Sequence, residues 1–402
     1  MKILIASTKE LCYFSGSFFL DRIQETLERK NVEIVRLDFD ENEADYSLLE
    51  GEIGKTYDAV LDINSRLPYL IDETGSRILN QIDAPFINYI LDHPLYHHPG
   101  LCFPIHRQFC LGIDKYHAAY MKRFYPHVVS VGYLPMAGTK ALEELPFDKR
   151  KNEILFTGTY LPDEELDEKI LALRNQINDA TYQLAMDLWD AWQDTTRPIE
   201  DCLMELLQGY CGSRKLSDVE KYIQDHYKIS GFAELLNHMF LVDQKKRNQK
   251  RERVLSAVSK GSIPLTVVGE GWEHSSISEN ANIRFLPARP MASTLLLMGR
   301  YRFVLDSNPL FACGLHDRVT SAMINGAVCL TDMSPKFDEE LRDGERLMFY
   351  DERYVDALLF RLENLPEEAA EQIAKEGRKL AERKYSWDAH GDALIRFIEY
   401  IS

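Results

Sequence analysis

No stretch of this 402-residue chain stays apolar for the ~20 residues that a membrane-spanning helix requires. It has no Cys-x-x-Cys pair. Its seven cysteines are scattered at 12, 102, 110, 202, 211, 313 and 329, which argues for reduced thiols in a cytosolic protein rather than a disulfide framework. The chain is also short of positive charge. With 47 Lys and Arg against 64 Asp and Glu, the formal net charge is −17, and that sign excludes nonspecific binding to nucleic-acid phosphates. Met1-Lys2-Ile3-Leu4-Ile5 runs straight into a strand pattern, leaving no room for a signal peptide. Internal repeats and low-complexity tracts are missing too. A soluble, cytoplasmic protein with no nucleic-acid partner is the expectation.

Apolar residues are plentiful, 45% of the total, and they fall in short runs separated by segments of helical spacing. The length exceeds what a single core supports, so two domains are predicted. The first, 1–137, has strand-like runs at 2–7, 32–37, 59–64, 86–91, 109–112 and 128–134. Helical spacing lies between them, as in 18–29 and 71–82. Residues 138–152, charged and carrying Gly138 and Pro146, read as a linker. The second domain, 153–385, has strand patterns at 153–157, 265–268, 283–285, 303–305, 327–330 and 347–349. Between the first two of these, about 163–261 reads as a helical insertion, with Ser217-Asp-Val-Glu220 as a capping box. An amphipathic helix, 386–402, closes the chain. The pattern predicts an α/β protein of two doubly wound parallel sheets. Ligands of such sheets sit at the carboxyl ends of the strands, in a cleft.

The segment Cys313–Asp332, CGLHDRVTSAMINGAVCLTD, is the richest in implication. A glycine loop runs into a short helix with Val319, Ala322 and Met323 on one face. Asp317 is placed to cap that helix and Gly326 to end it. Free backbone N–H groups, a helix N-terminus and the Arg318 guanidinium then meet at one point, an arrangement suited to a diphosphate. An ordinary strand–loop–helix crossover with a surface arginine is the plainer reading.

ILFTGTYLP (154–162), LTVVGEGW (265–272), NIRFLP (282–287), LDSNP (305–309), GLHDRVTSAMINGAVCLTD (314–332) and FDEELRDGERLMFYD (337–351) stand in an order that resembles bacterial group 1 glycosyltransferases, in particular their CgeB-like branch. YILDHPLYHHPG (89–100), CLGIDKYHAAYMKRFYP (110–126) and VGYLPMAG (131–138) resemble the partner module of the same enzymes. The resemblance implies a GT-B architecture, two Rossmann-like domains with the last helix crossing back to the first. It implies transfer of a sugar from a nucleoside-diphosphate donor, UDP-, GDP- or dTDP-linked, to a hydroxyl acceptor on a glycan, a lipid-linked glycan or a protein. Neither a cofactor nor a metal is implied, because helix N-termini and basic side chains neutralise the leaving diphosphate. An epimerase or hydrolase of the same architecture, or a noncatalytic sugar-nucleotide-binding or interaction protein, is the alternative.

On this resemblance Arg318, Gly314, His316 and Asp317 grip the donor diphosphate. Gly158 and Thr159 line its pocket, joined by Gly269 and Gly271, which equally make a plain turn. Asn308 in LDSNP belongs to the same set, and Arg289 stands where the base is usually held. Two glutamates, with seven residues between them in many retaining relatives, fall here on Cys313 and Ser321; Ser321 can still bond a ribose hydroxyl. Asp92 and His93 end a strand of the first domain, where a carboxylate or imidazole takes the acceptor's proton; turn capping is the alternative for both. His93, His97, His98, Cys102 and His106 crowd a Pro-rich loop that lacks helical ligand spacing, so acceptor binding is preferred there to a metal. The run Lys245, Lys246, Arg247, Lys250, Arg251, Arg253 reads as a solvated helix face. Arg251 or Arg253 reaching the cleft, or a weak peripheral membrane contact, is the other reading.

Overall fold

The computed structural model describes residues 1–8, 15–39, 47–307, 311–333 and 338–402. It divides into two compact units, Met1–Thr139 with Ala381–Ser402, and Lys140–Leu380.

The first unit is built on β1 (Lys2–Thr8), β2 (Glu33–Phe39), β3 (Ala59–Ile63), β4 (Phe86–Ile90), β5 (Gln108–Gly112) and β6 (Ser130–Tyr133). They form one sheet in the order β2-β1-β3-β4-β5-β6, parallel at every pairing. Every residue of β3, β4 and β5 is buried. A strand covered on both faces must be apolar without alternation, and that is why these runs were readable. The helix Trp387–Ile401 packs on the helix Ser15–Arg29. Gly391 makes the approach possible, since a Cβ there would stand 2.6 Å from Thr26 Cγ2. Lys30 and Asp392 close the edge of this contact at 2.6 Å.

The helix predicted over 71–82 does not form. Asp72 accepts from the amides of Thr74 and Ser76, Gly75 takes φ +81°, and only a 3-10 turn, Ile78–Gln81, follows. A side chain that bonds nearby backbone offers the chain a turn in place of a helix.

The second unit carries β7 (Lys151–Thr157), β8 (Leu265–Val268), β9 (Ile283–Leu286), β10 (Tyr301–Leu305), β11 (Val328–Asp332) and β12 (Met348–Tyr350). Their order is β12-β11-β10-β7-β8-β9, again parallel at every pairing. β7 starts at Lys151, so the connecting segment is shorter than 138–152. Between β7 and β8 lie the helices Asp163–Gln176, Asp179–Ala191, Ile199–Cys211, Leu216–Tyr227, Phe232–His238 and Phe240–Val258. The last of these is no appendage: Val254, Leu255 and Val258 join Phe156, Val267, Leu305 and Leu330 in the core of the sheet. The capping box is absent. The helix begins at Leu216, with Lys215 as its N-cap, and Glu220 instead accepts the Phe232 amide at 3.0 Å, at the head of a later helix. Among the described residues no helix is long and apolar enough to cross a membrane.

Candidate functional site

In the second sheet the chain passes from β7 to β8 and β9 on one side and returns to β10 on the other. Connections therefore diverge between β7 and β10, and at the carboxyl ends of such a strand pair the backbone opens into a crevice. Thr157, Gly158 and Thr159 end β7 there, and Asp306 and Ser307 follow β10.

Arg318 spans this point. It stands in the first turn of the helix Asp317–Ile324. Its Nη1 lies 2.5 Å from Asp306 Oδ1, its Nε donates to Thr157 Oγ1 at 3.1 Å, and its guanidinium carbon is 5.3 Å from the Phe156 ring centre. Asp306 is fully buried. Its second oxygen accepts from Thr331 at 3.0 Å, and its carbonyl accepts from the Tyr350 hydroxyl at 2.8 Å. Arg318 is thus a buried side chain, not the surface arginine of an ordinary crossover. Its Nη2 points to Gly158, 3.6 Å from where a Cβ would stand.

The basic run is not a solvated face. Lys250 is buried, its Nζ 2.7 Å from Asp332 Oδ2. Burial works against its charge, but Asp332 and Glu352 outweigh burial and hold it above the usual lysine range. Arg253 pairs with Glu352 at 2.9 Å. Arg251, also buried, donates from Nη1 to the Thr159 carbonyl at 2.7 Å. Burial pulls its guanidinium down to about 9, and the like charges of Arg247 and Arg318 add to that. Its Nε is buried with no hydrogen-bond partner among the described residues, and so is the Ser307 hydroxyl.

The backbone adds a further donor. Gly158 and Tyr160 give their amides to Val268 and Glu270, on the β8 side. Successive amides of an extended strand point to opposite edges, so the Thr159 amide between them faces β10, where it has no backbone partner among the described residues. Unpartnered donors in a folded protein ask for an explanation. Here they gather at the ends of two adjacent strands beside two guanidinium groups.

Gly269 and Gly271 have a reason inside the chain. A Cβ on Gly269 would fall 2.0 Å from the Gly158 carbonyl oxygen, and one on Gly271 2.0 Å from that of Tyr160. They let the two strand ends run side by side. Trp272 is core, stacked on Phe285 with Phe156 edge-on and Tyr160 tilted against it, and its Nε1 donates to the Gly158 carbonyl at 2.7 Å. The cap of the Arg318 helix is His316 rather than Asp317: His316 Nδ1 accepts the Arg318 amide at 3.2 Å. The same nitrogen lies 2.7 Å from Asp317 Oδ1. Burial opposes the charge of Asp317, yet His316 and Arg318 keep its carboxyl below the usual range. Gly326, at φ +65°, ends the helix. Gly314 and Ser321 are buried and Arg289 is exposed beyond β9. Asn308 lies outside the described residues.

In the first unit, β1 leads to β2 on one side and β3 on the other, and the ends of β3 and β4 hold the residues of interest. Asn64 and Ser65 follow β3 with φ of 60° and 59°. Asn64 accepts the Leu91 amide at 2.8 Å and donates to Asp92 Oδ2 at 3.1 Å. Asp92 is exposed, with 57% of its side chain open, and His97 Nε2 lies 3.6 Å from it. The structure separates His93 from Asp92. His93 is buried, its Nδ1 accepts the Leu95 amide at 3.1 Å, and its ring packs edge-on against His117 at 4.7 Å. It caps a turn and lies inside. The imidazole beside Asp92 is His97. Among the described residues no group of three or more His, Cys, Asp or Glu is placed to hold a metal ion; His98 instead meets the Tyr125 hydroxyl at 3.0 Å.

Residues 247–396 match a family model described as "Glycosyl transferase-like". No curated protein matches the chain. Among solved structures, sucrose-phosphate synthase from Thermosynechococcus elongatus is similar with a TM-score of 0.57 at 8% identity, over 100% of this chain and 98% of that one. Anabaena HepE in complex with UDP-glucose gives 0.54 at 9% identity over 100% of both chains. An alpha-glucosyltransferase in complex with UDP gives 0.57 at 11% identity, over 99% of this chain and 100% of that one. Likeness at such low identity speaks to architecture: the chain has the GT-B fold, two Rossmann-like parallel sheets with flanking helices.

Proposed function

We propose that this protein is a glycosyltransferase of the CgeB-like kind, moving a sugar from a nucleoside-diphosphate donor to a hydroxyl-bearing acceptor. The observation that carries the reading is the cluster at the switch point of the second sheet. Arg318 and Arg251 flank Phe156 there, beside the unpartnered Thr159 amide, Arg251 Nε and Ser307 hydroxyl. Departure of a nucleoside diphosphate places negative charge on oxygen, and donors fixed in advance at that place lower the barrier. Two guanidinium groups supply what a divalent ion would otherwise supply, so the transfer proceeds without a bound metal. The match of 247–396 to the glycosyl transferase-like model covers all of these side chains except those that end β7. HepE, with UDP-glucose, and the alpha-glucosyltransferase, with UDP, are consistent with a nucleotide-sugar donor here. An alpha-glucosyltransferase structure with UDP and a 13-mer DNA is also similar, but the net charge of −17 disfavours a nucleic-acid acceptor and leaves a glycan, a lipid-linked glycan or a protein.

A noncatalytic sugar-nucleotide binder is the second reading. It is favoured by Cys313 and Ser321 standing where retaining relatives carry acids. One experiment addresses both. Melting temperature is followed against UDP, GDP, dTDP and their glucose conjugates, with EDTA and with magnesium. A ligand specific for the folded state raises the midpoint with concentration. The transferase reading expects such a rise in EDTA, with release of the free nucleoside diphosphate from the conjugate over time. Binding without release selects the second reading, and no rise with any nucleotide removes both.

A further inference from the structure

The opposite, amino-terminal edge of the second sheet holds a cavity of about 360 Å³ whose wall includes Glu144, Arg150, Gly326, Glu371, Lys375 and Arg378. None of these belongs to the switch-point cluster. Arg150 lies just before β7 and Gly326 just before β11.

Three cations and two carboxylates meet here, in a chain whose net charge is −17, and the cations are incompletely matched. Arg150 is only 6% exposed. Its Nε and Nη1 donate to the neutral carbonyls of Leu145 and Gly326, at 2.9 and 2.6 Å, while the nearest carboxylate, Glu144, stands 3.9 Å away. Burial, reinforced by Arg378, pulls the Arg150 guanidinium down to about 10. Glu144 is already engaged: both its oxygens accept from Arg378, Nη1 at 3.0 Å and Nη2 closer still. That bidentate pair leaves Arg378 Nε buried, with no hydrogen-bond partner among the described residues. Lys375 forms no ion pair among the described residues. Gly326 admits the arginine, because a Cβ there would clash with the Arg378 guanidinium.

A phosphate group matches this inventory. It offers several strong acceptors around one centre, and arginine forks and lysine ammonium groups are its usual partners. We propose that the cavity binds a phosphate-bearing small molecule through the Arg378 Nε–H and the Lys375 ammonium. The anion competes with Glu144 for Arg378, and the buried charge of Arg150 lies behind them. Glu144 follows the point where the chain enters the second unit, at Lys140, and Arg378 precedes the point where it leaves, at Leu380.

The test is calorimetry on the full chain with inorganic phosphate and, separately, glucose 6-phosphate, at an ionic strength held constant with sodium chloride. Saturable binding of at least one is expected. Tighter binding of the sugar phosphate assigns an organic ester as occupant, and equal binding assigns phosphate itself. Lys375→Ala, on an exposed and unpaired side chain, weakens binding about tenfold, the loss of one charge-assisted contact. Glu144→Gln removes the competing carboxylate and strengthens it. Neither change touches the switch-point cluster, so the thermal response to UDP is expected to stay as in the parent, whatever becomes of the transferase reading. No saturable heat from either compound at millimolar concentration, or the same affinity in Lys375→Ala and the parent, overturns the proposal.

Discussion

The two sheets end in crevices of the same design but treat charge in opposite ways. In the second, ionisable groups sit in buried ion pairs: Arg318 with Asp306 and Lys250 with Asp332. In the first, the carboxylate of interest is left in water and two buried groups are shifted toward their neutral forms. Asp92 is exposed. Asp62, buried in β3 and accepting the Leu67 amide at 2.7 Å, is pushed by burial up to about 7, and buried His390 is pushed down to about 4. Fixed, paired ions resist reorganisation, which suits a site proposed to meet a departing anion. A hydroxyl needs only a neutral or solvated partner. The contrast is consistent with the proposal that the second unit takes the donor and the first the acceptor.

Arg318→Ala is the harshest way to break that contrast. Loss of a donor aimed at developing charge lowers turnover by about 10²–10³. It also leaves Asp306 buried without its cation, and removal of one partner of a buried pair costs roughly 3–5 kcal/mol. Both losses are expected together, in donor turnover per folded molecule and in the denaturation midpoint. Lost stability with full turnover would make the arginine a structural staple only.

How much of this could be read beforehand follows from where the determining contacts lie. All the strand patterns of the sequence have counterparts in the structure, because a parallel strand buried on both faces writes its environment into its own residues. The segment 71–82 misled because Ile71, Ile78 and Ile82 carry apolar spacing while the Asp72 turn decides the backbone. Lys250 was misplaced because its partner, Asp332, is remote in sequence; Arg251 follows the other of the two readings, reaching the end of β7 through the equally remote Thr159 carbonyl. A local sign of burial was nevertheless present. Val254 and Leu255 follow them at i+4, and residues four apart share a helix face, so the core face of that helix already included both cations. His93 and His97 were indistinguishable in sequence: which imidazole turns inward depends on a cap to Leu95 and on packing against His117.

The pH dependence of stability sharpens the comparison in the first unit. His390 meets the Pro135 carbonyl at 3.2 Å and is held neutral by burial, at about 4 against an ordinary 6.5. The unfolded chain therefore takes the proton first. The stability due to this residue is complete above pH 6.5 and drains away as pH falls toward 4, by about 3 kcal/mol at ~1.4 kcal/mol per pKa unit. Asp62, raised rather than lowered, has the reverse trend: its contribution is fullest below 3.8 and is lost as pH rises through about 7. That trend is common to parent and variant and cancels between them. His390→Phe is thus expected to gain on the parent by about 3 kcal/mol between pH 7 and 4, read from urea midpoints. A constant difference across that range removes His390 from the account.

Arg251→Met has a gentler effect than loss of Arg318, because no buried carboxylate is orphaned by it. The side chain bonds only the Thr159 carbonyl. Donor binding weakens by roughly ten- to thirtyfold, as for one charge-assisted hydrogen bond, and the stability change stays near that of a single unmet carbonyl. Titration with UDP gives the affinity. If it is unchanged while turnover falls, Arg251 meets charge only in the transition state, and the pocket is narrower than drawn here.

The smallest effect belongs to His93. As the cap of a single 3-10 turn, its replacement by glutamine costs about 1 kcal/mol of stability and leaves donor affinity and turnover alone. Asp92→Asn, one residue away, is expected to do the reverse: kcat falls, UDP affinity holds and the midpoint barely moves, since an exposed carboxylate contributes little to folding. Neighbouring substitutions with opposite readouts test the division of labour within the first unit more finely than any large effect can. If His93→Gln loses turnover as Asp92→Asn does, the imidazole works through its buried position. The buried turn that it caps would then be part of the chemistry rather than its scaffold.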